Sequence, residues 1–137
     1  MEKEVAILAI FVLPFLLASI LYPETTLAET ETFLVGWTKE NNDSWFPNGT
    51  TFYDGDSLEF VFNQTNYNVV VVDKPAYETC QAPEAAFEYN SGDDTIPLKK
   101  GENFFICTKR ECCENNMKMK IDAVAGQRPT KRKETGS

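Results

Sequence analysis

Residues 106 to 119, Ile-Cys-Thr-Lys-Arg-Glu-Cys-Cys-Glu-Asn-Asn-Met-Lys-Met, gather three cysteines and two methionines in a chain that has no histidine. Sulfur at that density suits soft-metal binding, thiol exchange or disulfide cross-linking. The lack of histidine removes the commonest zinc and copper ligand, and with it every catalytic triad or dyad that needs an imidazole. The remaining polar residues form no recognisable catalytic constellation, so the sequence points to a non-enzymatic protein.

The compartment decides among the sulfur chemistries. Val5 to Leu21 is an apolar run broken only by Pro14 and Ser19, and a polar stretch ending Thr26-Leu27-Ala28 follows it. This pattern predicts a signal peptide over 1–28, cleaved after Ala28, with Pro14 favouring an export signal over a membrane anchor. Secretion to the extracellular space or cell surface is therefore expected. Removing that segment, with its three acidic residues and one basic, takes the net charge from -8 to -6. Such acidity argues against nucleic acid or an anionic membrane as partner. In an exported chain of this size, four cysteines favour disulfides over zinc. Three N-x-[ST] sequons, at Asn42, Asn48 and Asn63, fit passage through a secretory pathway and are predicted glycosylation sites. Residues 126–137 are polar and basic, with Lys131-Arg132-Lys133; they predict a disordered tail carrying no lipid-anchor signal.

The elements that must position the sulfur residues read as strands. Leu58, Phe60 and Phe62 alternate with polar neighbours, as do Met117, Met119 and Ile121, which is the period-two pattern of half-buried strands. Tyr67 to Val72, with four consecutive valines, suits a strand buried on both faces. Thr95 to Leu98 and Asn103 to Cys107 read as two further strands, while Asp54-Gly55-Asp56 and Ser91-Gly92-Asp93-Asp94 are turn signals. A helical turn or two is expected only around Pro83 to Phe87. About seven short strands over roughly 100 residues predict a single all-β domain at 29–125, a Greek-key β-sandwich.

Certain residues go further when taken in order. Gly36-Trp37 leads to Trp45, then Phe52-x-x-Gly55-Asp56-x-Leu58-x-Phe60-x-Phe62 and Tyr67-Asn68-Val69. Tyr77-x-x-Cys80, Ile96-x-Leu98 and Gly101-x-x-Phe104-Phe105-Ile106-Cys107 come next, and Cys113 with Met117-Lys118-Met119-x-Ile121 closes the series. From about Phe33 to Val124 this succession resembles the phytocyanins, plant cupredoxins that include stellacyanins, plantacyanins, uclacyanins and early nodulin-like proteins. The resemblance implies a cupredoxin-like sandwich and an ancestral blue-copper electron carrier. Its type 1 site uses two histidines, a cysteine thiolate and an axial Met or Gln, because copper cycling between two oxidation states wants a soft thiolate, imidazoles and a weak axial donor. Carried over, those positions fall on Tyr67, Cys107, Cys112 and Met117, so both histidines are replaced. A phenol whose pKa is ~10 is a poor substitute for imidazole, and Tyr67 is expected to act as a hydrophobic plug.

The resemblance further implies a disulfide between Cys80 and Cys113. Cys107 and Cys112 then sit where two ligands would face one metal. Copper ligands lie on the order of 3.5 Å apart and a disulfide needs ~2.05 Å, so a small loop adjustment would join them. Free thiols, a soft-metal site with Met117, or a vicinal Cys112–Cys113 bond are the other outcomes. The functional expectation is an extracellular interaction or structural module like the early nodulin-like subgroup, with a cell-wall glycan, glycoprotein or receptor as partner and no cofactor. The alternative is a residual copper or soft-metal carrier using Cys107, Cys112 and Met117.

Overall fold

A computed structural model describes residues 29–41 and 45–129. The predicted signal peptide, the Asn42 sequon and residues 130–137 of the tail lie outside the described residues. In chain order the elements are β1 (Thr32–Gly36), a 3-10 turn (Lys39–Asn41), β2 (Phe52–Tyr53), β3 (Ser57–Val61), β4 (Val69–Val72), α1 (Lys74–Thr79), β5 (Glu88–Tyr89), β6 (Asp93–Pro97), β7 (Gly101–Ile106) and β8 (Lys118–Val124). They form a three-stranded sheet ordered β1-β3-β6 and a five-stranded sheet ordered β2-β8-β7-β4-β5. The fold is the all-β sandwich that the alternation predicts; two of its eight strands are only two residues long. β1 runs parallel to β3 and β2 parallel to β8, and the remaining pairs are antiparallel.

The inner faces follow the sequence period. Leu58 and Phe60 from β3 meet Val69, Phe105, Met119 and Ile121 from the larger sheet, and Trp37 closes one end of this core. The Phe60 and Phe105 rings bridge the layers at 5.1 Å. Trp37 stacks on Trp45 at 5.3 Å and meets Phe60 edge-on at 5.2 Å. At full burial each such side chain contributes roughly 1.5–3 kcal/mol. Gly92 shows what the turns demand: its φ is +90°, and a Cβ there would come within 3.0 Å of the Phe62 carbonyl that faces it.

Three sequence expectations need correction. The helix lies at Lys74–Thr79, earlier than Pro83 to Phe87, because Asp73 caps it by accepting a bond from the Ala76 amide at 3.0 Å and Pro75 suits its first turn. Residues 83–87 form turns instead. The valine strand is buried on both faces only at Val69 and Val70, whereas Val71 is 41% exposed. Val70 and Ile106 point away from the main core and are covered by α1 and the loop after it, through Tyr77, Cys80, Ala82 and Ala86. Finally, the start of the tail is docked. Arg128 pairs with Glu31 at 3.2 Å and with Asp56, and its guanidinium lies over the rings of Tyr53 and Phe33.

Candidate functional site

β7 delivers Cys107 at its C-terminal end, and the run into β8 delivers Met117; both are fully buried. Between them lies a tight loop whose Arg110, Glu111 and Asn116 all have positive φ, at 48°, 58° and 68°. Its backbone bonds tie the sulfur residues together. The Cys107 amide donates to the Met117 carbonyl at 3.1 Å, the Met117 amide to the Cys112 carbonyl at 2.9 Å, and the Cys112 amide to the Lys109 carbonyl at 3.0 Å. Cys107, Cys112 and Met117 consequently share the main core with Tyr67, which packs against it half-buried.

All four cysteines are oxidised. Cys80 is bonded to Cys113 with Cα atoms 5.6 Å apart, and Cys107 to Cys112 with Cα atoms 5.5 Å apart. The first bond fixes the loop to the C-cap of α1 on the outer side of the larger sheet. The second lies inside the sandwich and links two of the positions singled out in the sequence. Tyr67 is presented by the turn that begins at Asn63, whose carbonyl accepts the Tyr67 amide at 2.9 Å and whose side chain accepts the Thr65 amide at 3.0 Å. A shallow pocket of about 120 Å³ covers the place, lined by Lys39, Asn66, Tyr67, Lys109, Arg110 and Cys112. Three of those six residues are cationic, which disfavours a metal cation at the entrance.

As donors, the four positions offer a phenol, a cystine and a thioether. Neither cysteine carries a lone thiolate, and the chain has no imidazole to complete a trigonal copper site. Among the described residues no group of three or more His, Cys, Asp or Glu stands ready to hold a metal. The donor set does not fit type 1 copper.

Sequence reasoning assigned no role to Asn68, which organises this end of the molecule while only 1% exposed. Its carboxamide oxygen accepts the Thr108 amide at 2.8 Å, its nitrogen donates to the Thr108 hydroxyl at 2.8 Å and to the Glu88 carboxylate at 2.9 Å, and its carbonyl accepts the Trp37 indole at 2.9 Å. One buried amide thus joins β4, β5 and the loop after β7, with every group satisfied. Its sequence signals were its place in Tyr67-Asn68-Val69 and a polar residue ahead of a valine run, neither of which indicates this network. The glycosylation candidates Asn48 and Asn63 are both exposed.

Comparison with known proteins places this geometry. The family model described as a plastocyanin-like domain matches residues 37–117. Early nodulin-like protein 22 of Arabidopsis thaliana is 43% identical over 103 residues, covering 69% of this chain and 71% of that one. The basic blue protein of Cucumis sativus is 43% identical over 89 residues, covering 65% of this chain and 91% of that one. Among solved structures, cucumber basic protein, described as a blue copper protein, superposes with a TM-score of 0.62 at 38% identity, covering 68% of this chain and 99% of that one. Spinach plantacyanin gives 0.61 at 36% identity, with 67% and 98% covered.

Proposed function

The chain belongs to the phytocyanins, the plastocyanin-like family of plant cupredoxins, and from that premise we propose that it is a secreted, non-catalytic interaction module whose copper position has been closed by a disulfide. The observation that carries this reading is the bond between Cys107 and Cys112 inside the core. A blue copper centre needs the Cys107 sulfur as a thiolate; here that electron pair is committed to Cys112, and both imidazoles are missing. Two disulfides and exposed sequons at Asn48 and Asn63 support an oxidising, glycosylating route to the outside of the cell. The partner on this reading is extracellular.

Copper titration of the oxidised protein tests it. No intense thiolate-to-copper absorption near about 600 nm is expected, and such a band would refute the reading. A second reading is favoured by the backbone bonds that hold Cys107, Cys112 and Met117 together: after reduction of the inner bond by a dithiol, two thiolates and a thioether would form a soft-metal site for monovalent copper. Titrating the reduced protein with cuprous ion against a chromogenic chelator distinguishes the two, because only the second reading predicts competition that the C107A/C112A variant loses.

A further inference from the structure

By strand alternation Val71 shares the inner face of β4 with Val69, yet it is 41% exposed while Val69 is fully buried. The cause is an opening in the sandwich. β5 pairs only with Val69 and Val70, so β4 runs on past it, and the free side of β6 does not close the gap. What results is a groove of about 450 Å³ whose walls include Val71, Phe87, Tyr89 and Pro97. Phe87 is 69% exposed and stands edge-on at 4.7 Å to Tyr89, which packs half-buried against the core. Val71, Phe87 and Pro97 thus make one contiguous apolar patch along the groove rather than scattered single residues.

The rim of the groove is cationic although the chain is acidic. Lys99 and Lys100 line it in the turn between β6 and β7. Asn103 fixes that turn by accepting the Lys99 amide at 3.0 Å and donating to the Lys99 carbonyl at 2.8 Å, so the two lysines are presented by a preformed loop. The acidic residue lining the groove, Glu102, is neutralised by Lys120 at 3.0 Å. That ammonium holds the Glu102 carboxyl below its usual range, and the charge of Lys74 adds to the effect. Local charge therefore opposes the sign of the whole molecule.

We propose that this groove binds an acidic polysaccharide, a uronate-bearing glycan chain. Its carboxylates would meet Lys99 and Lys100, and the apolar C–H face of a sugar ring would lie on Phe87. An added peptide strand fits less well. β5 pairs with Val69 and Val70, which leaves only Val71 and Val72 of β4 unpaired on that edge, too short a stretch for an added strand to register against. Contact must come through side chains, which a glycan uses and β-strand addition does not. The inference rests on the extracellular reading above and names the partner class of that module.

The test uses full-length chain expressed through a eukaryotic secretory pathway, titrated calorimetrically with a short oligogalacturonate and, separately, with polyglutamate of similar charge. The oligouronate is expected to bind, about tenfold more weakly to K99E/K100E and about fivefold more weakly to F87A, with affinity falling as salt rises. All three residues are exposed, so the variants should keep the parent's circular dichroism. Absence of uronate binding overturns the proposal. Binding that K99E/K100E weakens while F87A leaves unchanged also overturns it, since simple charge attraction would then suffice. Equal affinity for polyglutamate overturns the glycan assignment in favour of an acidic polypeptide. The copper titration reports separately: a blue band with uronate binding intact would remove the functional reading and leave the groove standing.

Discussion

Removing the disulfides one at a time separates their roles. On the chain-entropy relation, a cross-link with a sequence separation of 33 is worth about 3.7 kcal/mol and one with a separation of 5 about 2.1 kcal/mol. Each pair change to alanine removes two sulfurs, but Cys107 and Cys112 are both fully buried while Cys80 is half-buried, so the packing loss is larger for the inner pair and narrows the gap. A second effect widens the gap. The inner bond closes the loop that holds Arg110 and Glu111 at φ of 48° and 58°, conformations costing at least about 1 kcal/mol each for non-glycine residues. If opening the bond lets that loop relax, the recovered strain offsets most of the lost entropy term. With packing and strain opposed, C80A/C113A should lose about 1.6 kcal/mol more than C107A/C112A, which is roughly 6 °C or more in melting temperature for a domain of this size. Guanidinium unfolding followed by fluorescence of Trp37 and Trp45 measures the difference, since both indoles sit on the core. Equal losses, or a greater loss for C107A/C112A, would refute the reasoning and make the inner bond the main staple of the fold.

Restoring both imidazoles should restore the metal: Y67H/C112H frees the Cys107 thiolate beside Met117 and is expected to turn blue with copper, absorbing near about 600 nm, while either single change stays pale. Arg128→Ala should cost about 1–3 kcal/mol in thermal or denaturant unfolding, because it strips the cation from the buried Asp56 carboxylate and leaves only the Glu31 and Tyr53 amides. Arg128→Lys should recover only part of this, since the guanidinium also stacks over Tyr53 at 4.9 Å. On the surface of the smaller sheet, a shared hydrogen bond with Asp93, helped by the repulsion between the two charges, raises the Glu59 pKa. A carboxyl raised in the folded state carries a penalty that is present above its folded pKa and disappears as pH falls through it. Glu59→Gln should therefore melt above the parent at neutral pH, with the gain shrinking in acid.

Strand periodicity made most of the architecture legible, because Leu58, Phe60, Met119 and Ile121 face inward while the residues on both sides of each face outward, and the set cannot be shifted by one residue without exposing the core. Val71 misled for the complementary reason. Four consecutive valines carry no alternation, and whether each is covered depends on how far β5 runs alongside, which composition does not encode. The same holds for Asn68: asparagine beside a turn usually satisfies itself locally, and only the assembled fold shows its amide spanning three elements. Residues 126–129 looked like tail because Gly126-Gln127-Arg128-Pro129 is polar. Arg128 docks because Asp56, which read as a turn residue, is buried 72 positions away in sequence and needs a cation. Each failure involves a partner distant in the chain.

The inner disulfide has a physical logic that does not need the metal. A cupredoxin fold brings the end of one strand and the loop before the next into a dry pocket, and the groups there must be satisfied or neutral. With imidazoles present, a bound ion can meet that need. Without them, two facing cysteines and a methionine would be left in the core, and an unpaired thiolate would be costly to bury. Cystine resolves this: it is neutral, packs as an apolar group, and ties Cys107 to Cys112. The neighbouring bonds from Cys107 to Met117 and from Met117 to Cys112 are backbone bonds and do not depend on which link is present. The cystine and these backbone bonds therefore hold the loop in place without calling on a metal.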